Sequence, residues 1–169
     1  MGGKKPILAA ALALALMALA LAAARWGGGP GLSYPETLPG GYRVARVVSG
    51  PEALEMAKSI HWNPSAIEIT KAVIVVYTDG TRLWITETTG DACRYAEQMA
   101  EKIAIYSEQL PYTPPIPHEI EGVKVYLTLD KRNGRLHAFW CRDSLVAWAE
   151  LGESGIQGLK KLVETVGKQ

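Results

Sequence analysis

The chain has 169 residues, 18 of them basic and 17 acidic, for a formal net charge of +1. That balance excludes the basic excess with which nucleic-acid domains neutralise phosphates, so no nucleic-acid partner is expected. The length allows one ordinary core once a leading apolar segment is set aside, and excludes two.

Lys4 and Lys5 precede an unbroken apolar run over 7–24. Eighteen residues form a helix of about 27 Å, close to the roughly 30 Å hydrocarbon core of a bilayer. Two readings of this run stand. One is a cleaved secretory signal, because Ala22 and Ala24 give the small-x-small spacing before Arg25. The other is a retained anchor. It is favoured because signal cores typically run about 7 to 15 residues and Trp26 suits the interface. In both, the lysines stay inside and residues from Arg25 onward lie outside the cell membrane. Setting Lys4 and Lys5 aside leaves 16 basic residues against 17 acidic, so the exported part is near neutral. Scarce Asn and Gln beside abundant Glu and Lys is a bias of heat-adapted proteins.

Gly27 to Gly31, then Pro35, Pro39, Gly40 and Gly41, mark 26–41 as a spacer that holds the domain off the bilayer. The alternative is that Leu32, Tyr34 and Leu38 pack locally. The folded domain is expected over 42–169. Val44, Val47 and Val48 predict a strand, and Ser49 with Glu52 the capping box of a helix over 51–60. Pro64 ends that segment after Trp62. Strands over 67–78 and 81–88 are joined by Asp79-Gly80, a strong hairpin signal. The apolar run 72–77 reads as a central strand covered on both faces.

Asp91 caps a predicted helix over 92–109, with Ala92, Ala96, Met99, Ile103 and Tyr106 on one face. Four prolines in 111–117 enforce an extended segment. Strands over 120–129, 135–141 and 145–151 follow, with turns at Asn133-Gly134 and Arg142 to Ser144. Ser154 and Gln157 form a second capping-box spacing before a closing helix carrying Ile156, Leu159, Leu162, Val163 and Val166. The stretches 53–60 and 96–103 agree at four of eight positions, and each precedes a hairpin. Chance similarity between Ala-rich helices remains the favoured account.

Cys93 and Cys141 are the only cysteines, and export would let them form a disulfide from helix to sheet. Two separate buried thiols are the alternative. The three histidines are scattered. His137 and Cys141 share a strand face, but Phe139 between them fits a half-buried sheet better than a metal cage. No nucleophile-elbow, phosphate-loop or dinucleotide motif is present, and no cofactor is expected.

The sequence therefore predicts an α+β fold, a mostly antiparallel sheet of five or six strands with about three packed helices behind one N-terminal transmembrane helix. The leading function is a non-catalytic, membrane-anchored extracytoplasmic domain, partnered by the bilayer through 7–24 and by another membrane or envelope protein. The alternative is a small-ligand or enzymatic site beside the proline-rich segment 111–117, built from Trp62, Tyr112 and His118.

Overall fold

The computed structural model describes residues 32–59 and 68–167. Their elements in chain order are β1 (Thr37–Leu38), β2 (Tyr42–Ser49), α1 (Gly50–Ser59), β3 (Ile69–Tyr77), β4 (Arg82–Thr88), α2 (Ala92–Ile105), β5 (Ile116–Ile120), β6 (Val123–Leu129), β7 (Leu136–Arg142), β8 (Leu145–Glu150) and α3 (Gly155–Thr165). The strands form one antiparallel sheet in the order β1-β2-β3-β4-β8-β7-β6-β5. The α+β class stands as expected, but the sheet has eight strands rather than five or six.

Two strands account for the difference. β1 is two residues long, too short to carry a periodic signal, and it lies within the stretch read as spacer. The other is β5, hidden in the proline-rich segment. The strand expected over 120–129 is broken at Glu121 and Gly122, whose φ of 52° and 71° make a two-residue hairpin turn. In such a hairpin the flanking pair Ile120 and Val123 exchange hydrogen bonds. Alternation then turns the peptide groups of residues 116 and 118 toward β6, and those of Pro117 and Glu119 toward solvent. Pro117 is tolerated there because the N–H it lacks would have had no partner in the sheet.

Residues 32–41 belong to the fold. Leu32 and Leu38 are buried in the main core, and the Tyr77 hydroxyl donates to the Pro35 carbonyl at 2.7 Å. The run 7–24 lies outside the described residues. No helix among the described residues is long and apolar enough to cross a membrane.

The helices divide between the two sheet faces. α1 sets Ala53 and Ala57 on Val48, Ile69, Ala72 and Ile74, where small side chains let the helix approach closely. On the same face α2 packs over β7 and β8, with Ile103 against Tyr126 and Phe139. Its first turn is capped by Asp91, which accepts from the Arg94 N–H at 3.0 Å. α3 packs on the opposite face through Leu159, Leu162 and Val163. It touches both β1 and β7, five strands apart. Five strand spacings span about 24 Å, twice a helix diameter, so the sheet curls round α3. β6 and β5 follow β7 as a marginal wing, with Val125 in the same core as α3 and Ile120, Val123 and Leu127 packed against it.

The Asp79-Gly80 hairpin is present as expected, with Gly80 at φ 85°. Asp79, however, is buried rather than a solvated turn residue. It accepts from the N–H and hydroxyl of Thr81, both at 2.8 Å, and from the N–H and hydroxyl of Ser154 at 3.1 and 2.5 Å. The expected capping box at Ser154 is thus not made. Its hydroxyl is committed to Asp79, which ties the start of α3 to the β3–β4 hairpin. Gly152 completes the joint, donating its N–H to Thr81 Oγ1 at 2.9 Å. A β-carbon at Gly152 would fall 2.2 Å from the Asp79 carbonyl oxygen, so no larger residue fits.

Candidate functional site

In-register residues of six strands line up on the face beneath α1 and α2: Val48, Ile74, Trp84, Trp148, Phe139 and Tyr126. Strand alternation puts them all on one side. Phe139 stacks between Trp148 and Tyr126, with ring centroids 5.0 and 5.1 Å away. Phe139 and Trp140, which point to opposite faces of β7, are both fully buried, so the aromatic rings of this strand belong to the core on either side.

Two residues further along the strands, on the same face, the row turns polar. Thr128, His137 and Glu150 are register partners, and Asp130 follows at the end of β6. The proline-rich segment crosses here through a bridge between Tyr112 and Asp130. Tyr112 places its ring edge-on to His137 and Trp148, with centroids 5.3 and 5.4 Å away. Next to this segment, Thr128 donates to the Thr113 carbonyl at 2.6 Å.

His137 organises the cluster. Its Nδ1 accepts the Trp148 indole N–H at 2.9 Å. An indole nitrogen can only donate, so Nδ1 carries no proton and the neutral ring is protonated on Nε2. That Nε2 is buried without a hydrogen-bond partner. Burial pushes the imidazole below its ordinary pKa, against the pull of Glu150 and Asp130 and with the help of Arg132 and Arg135. The ring is 4 % exposed.

Charged side chains rim the cluster. Arg132 reaches Asp130 in a bidentate pair, with Nη2 to Oδ2 at 2.6 Å and Nε to Oδ1 at 3.0 Å. These bonds outweigh desolvation and hold the Asp130 carboxyl down to about 2. Arg135 donates to Glu150 at 2.6 Å. Tyr112 is pushed above its ordinary pKa by burial and by Asp130, so its hydroxyl stays protonated at neutral pH.

The chain matches no protein-family model, no curated protein and no solved structure with which it was compared. The functional reading therefore rests on its own residues.

Of the two singled-out residues that the structure describes, Tyr112 sits in this cluster and His118 does not. His118 is exposed on β5 and pairs with Val125. Tyr112 pairs five residues further along β6, roughly 17 Å away, so the two do not meet. Trp62 lies outside the described residues. The Cys93–Cys141 disulfide is formed and joins the first turn of α2 to the end of β7, with Cα atoms 5.0 Å apart. It removes the Cys141 thiolate as a ligand beside His137. No group of three metal-binding side chains occurs among the described residues.

A pH prediction follows from the His137 geometry. Protonating Nδ1 would set two donors against each other and release the Trp148 indole. Because the native pKa is depressed, folding is disfavoured as pH falls from the unfolded value near 6.5 through the native one, and unaffected above it. Urea denaturation is expected to show stability flat from pH 8 to 7 and falling toward pH 5. A parallel change in tryptophan emission is expected, and His137→Phe should abolish it. An unchanged acid limb in that variant would assign the loss to other groups.

Proposed function

We propose that the protein is a membrane-anchored extracytoplasmic binding domain, an accessory subunit that contacts another membrane or envelope protein and performs no chemistry itself. The observation that carries the binding reading is the locked Tyr112, Trp148 and Arg132 patch. Tyr, Trp and Arg dominate interface energies because they combine large apolar area with directional hydrogen bonds. Here each is held before a partner arrives. His137 fixes the indole, Asp130 the guanidinium, and the Tyr112 ring packs against two neighbours. Side chains already ordered lose less entropy on binding.

Two further points support the reading. His137 is poorly placed as a general base, with Nδ1 occupied and Nε2 shut off from solvent. The disulfide suits an oxidising compartment, consistent with export behind the run 7–24.

A photo-crosslinking side chain at Arg132, in protein expressed in its own membranes, tests the proposal. A discrete adduct with a membrane protein is expected, weakened by Tyr112→Ala and absent from the same probe at Lys58 on α1. Equal labelling from both positions would reject the patch. An intact mass beginning at Arg25 would reject the tether.

A second reading, small-ligand binding, is favoured by the unpartnered Nε2–H of His137 behind Tyr112. A small-molecule acceptor that reached it would be detected by native mass spectrometry, and lost in His137→Phe.

A further inference from the structure

The face of the β5–β6 wing on the α3 side is apolar; Val125 on it is buried and Ile120 and Leu127 pack partly on the α3-side core, while its outer residues are exposed. Register and alternation put Ile116, His118 and Ile120 of β5 on it, with Leu127 and Leu129 of β6 and Leu136 of β7. Ile116 is 61 % exposed and Leu129 44 %. They are near neighbours on adjacent strands. α3 carries exposed Ile156, Lys160 and Lys161 on its own outward side.

The chain enters the fold on this same face. Leu32 is buried in the α3-side core, and the Ser33 hydroxyl donates to the Thr165 carbonyl at the end of α3. Arg142 donates to the Val166 carbonyl at 2.9 Å, which puts that end beside the last residue of β7. β5 lies two strands away, about 10 Å.

Because residues 32–41 are part of the fold, only residues 25–31 separate Leu32 from the apolar run. Seven residues reach at most roughly 25 Å. A domain of this length is about 37 Å across, so the tether is shorter than the domain is wide. The face on which the chain enters is then the face turned to the bilayer.

We propose that the α3-side face of the β5–β6 wing rests on the lipid bilayer, with Ile116 and Leu129 in the headgroup region and Lys160 and Lys161 toward anionic lipid. The inference rests on the membrane-anchor reading above. Apolar side chains with nearby basic residues are the pattern that binds such interfaces. The Tyr112 patch, on the other side of the sheet, is left free for a partner.

The test uses the full chain reconstituted into vesicles of phosphatidylcholine and phosphatidylglycerol. Single cysteines replace Ile116, Leu129 or, as a control on the α1 side, Met56. They can be labelled selectively because Cys93 and Cys141 are bonded to each other. An environment-sensitive fluorophore is then quenched by nitroxide-bearing lipid and, separately, by aqueous iodide. Lipid quenching at 116 and 129 is expected to exceed that at 56 by roughly threefold or more, with iodide quenching reduced. Equal quenching at all three positions overturns the inference. Shielding of 116 and 129 from both quenchers also overturns it, and assigns the face to a protein, whether a second copy or a partner. Alkaline extraction separates the two layers of argument. A chain that leaves the vesicles refutes the anchor, whereas one that remains while Ile116 faces water refutes only the docking.

Discussion

Reduction of the Cys93–Cys141 bond is expected to cost about 4 kcal/mol of folding stability. The bridge closes a loop with a sequence separation of 48, and cross-linking a loop of that size removes about that much chain entropy from the unfolded state. For a domain of this length the loss corresponds to a fall in Tm of roughly 10 to 15 °C. The double variant Cys93→Ser with Cys141→Ser should behave as the reduced protein does. Differential scanning calorimetry with and without a thiol-free reductant measures both. A shift below about 3 °C would mean that the unfolded chain is already held compact, or that α2 is secured by its apolar face alone. That face places Ala92, Ala96 and Ile103 in the core, three modest anchors for a helix carrying exposed Ile105 and Tyr106 at its far end. The disulfide pins the end at which the helix begins.

Asp79→Ala is expected to destabilise by about 3 to 5 kcal/mol at neutral pH, because it removes a buried carboxylate and leaves four donors of Thr81 and Ser154 without their acceptor. Asp79→Asn should recover part of this. Its amide keeps one acceptor oxygen but turns an N–H₂ toward groups that also donate. The effect has a pH signature. Burial raises the carboxyl pKa, but the bonds from Ser154 and Thr81 outweigh it and the net shift is downward. The native state thus favours the ionised form. Its advantage is complete above the unfolded carboxylate value near 4 and is lost as pH falls through the lower native value. Urea denaturation of native protein and Asp79→Ala at pH 7 and pH 3 should show the gap between them narrowing on the acid side. A gap that is constant with pH would mean that side-chain volume, not charge, holds the joint.

Local patterns carried the fold wherever a single element could be read by itself. Asp79 and Gly80 between two β-branched runs gave β3 and β4, and the helical spacing of Ala92, Ala96 and Ile103 gave α2. The proline content of 111–117 concealed β5, because a proline is unfavourable in a strand unless its nitrogen faces away from the sheet. That orientation depends on the pairing with β6. Glu121, a non-glycine residue at positive φ, gave no warning of a turn. The role of Asp79 was hidden for a similar reason, since its partner Ser154 lies 75 residues later and looked like a local cap.

The candidate site was legible only as a region. Tyr112 could be picked out beside the prolines, and the His137 and Phe139 face of β7 followed from alternation. That Tyr112 would meet His137 and Trp148, and that His118 would sit far from both, depends on the offset between β5, β6 and the segment before them. No periodicity within one strand encodes that offset. Arg132 and Asp130 carry no local pattern that singles them out, and the bridge from Asp130 to Tyr112 is what makes them part of the cluster.

The outward peptide groups of β5 bear on whether copies of the protein can join edge to edge. Open strand margins that meet in matching orientation zip into extended sheets and fibrils. At one margin of this sheet stands β1, two residues long. At the other, Pro117 leaves Glu119 as the one outward amide of β5 free to recruit another strand. The β5 margin therefore offers little to a further strand, whereas past the short β1 the outer edge of β2 from Ala45 to Ser49 pairs with no strand among the described residues, which makes β2 the margin at which another chain could add.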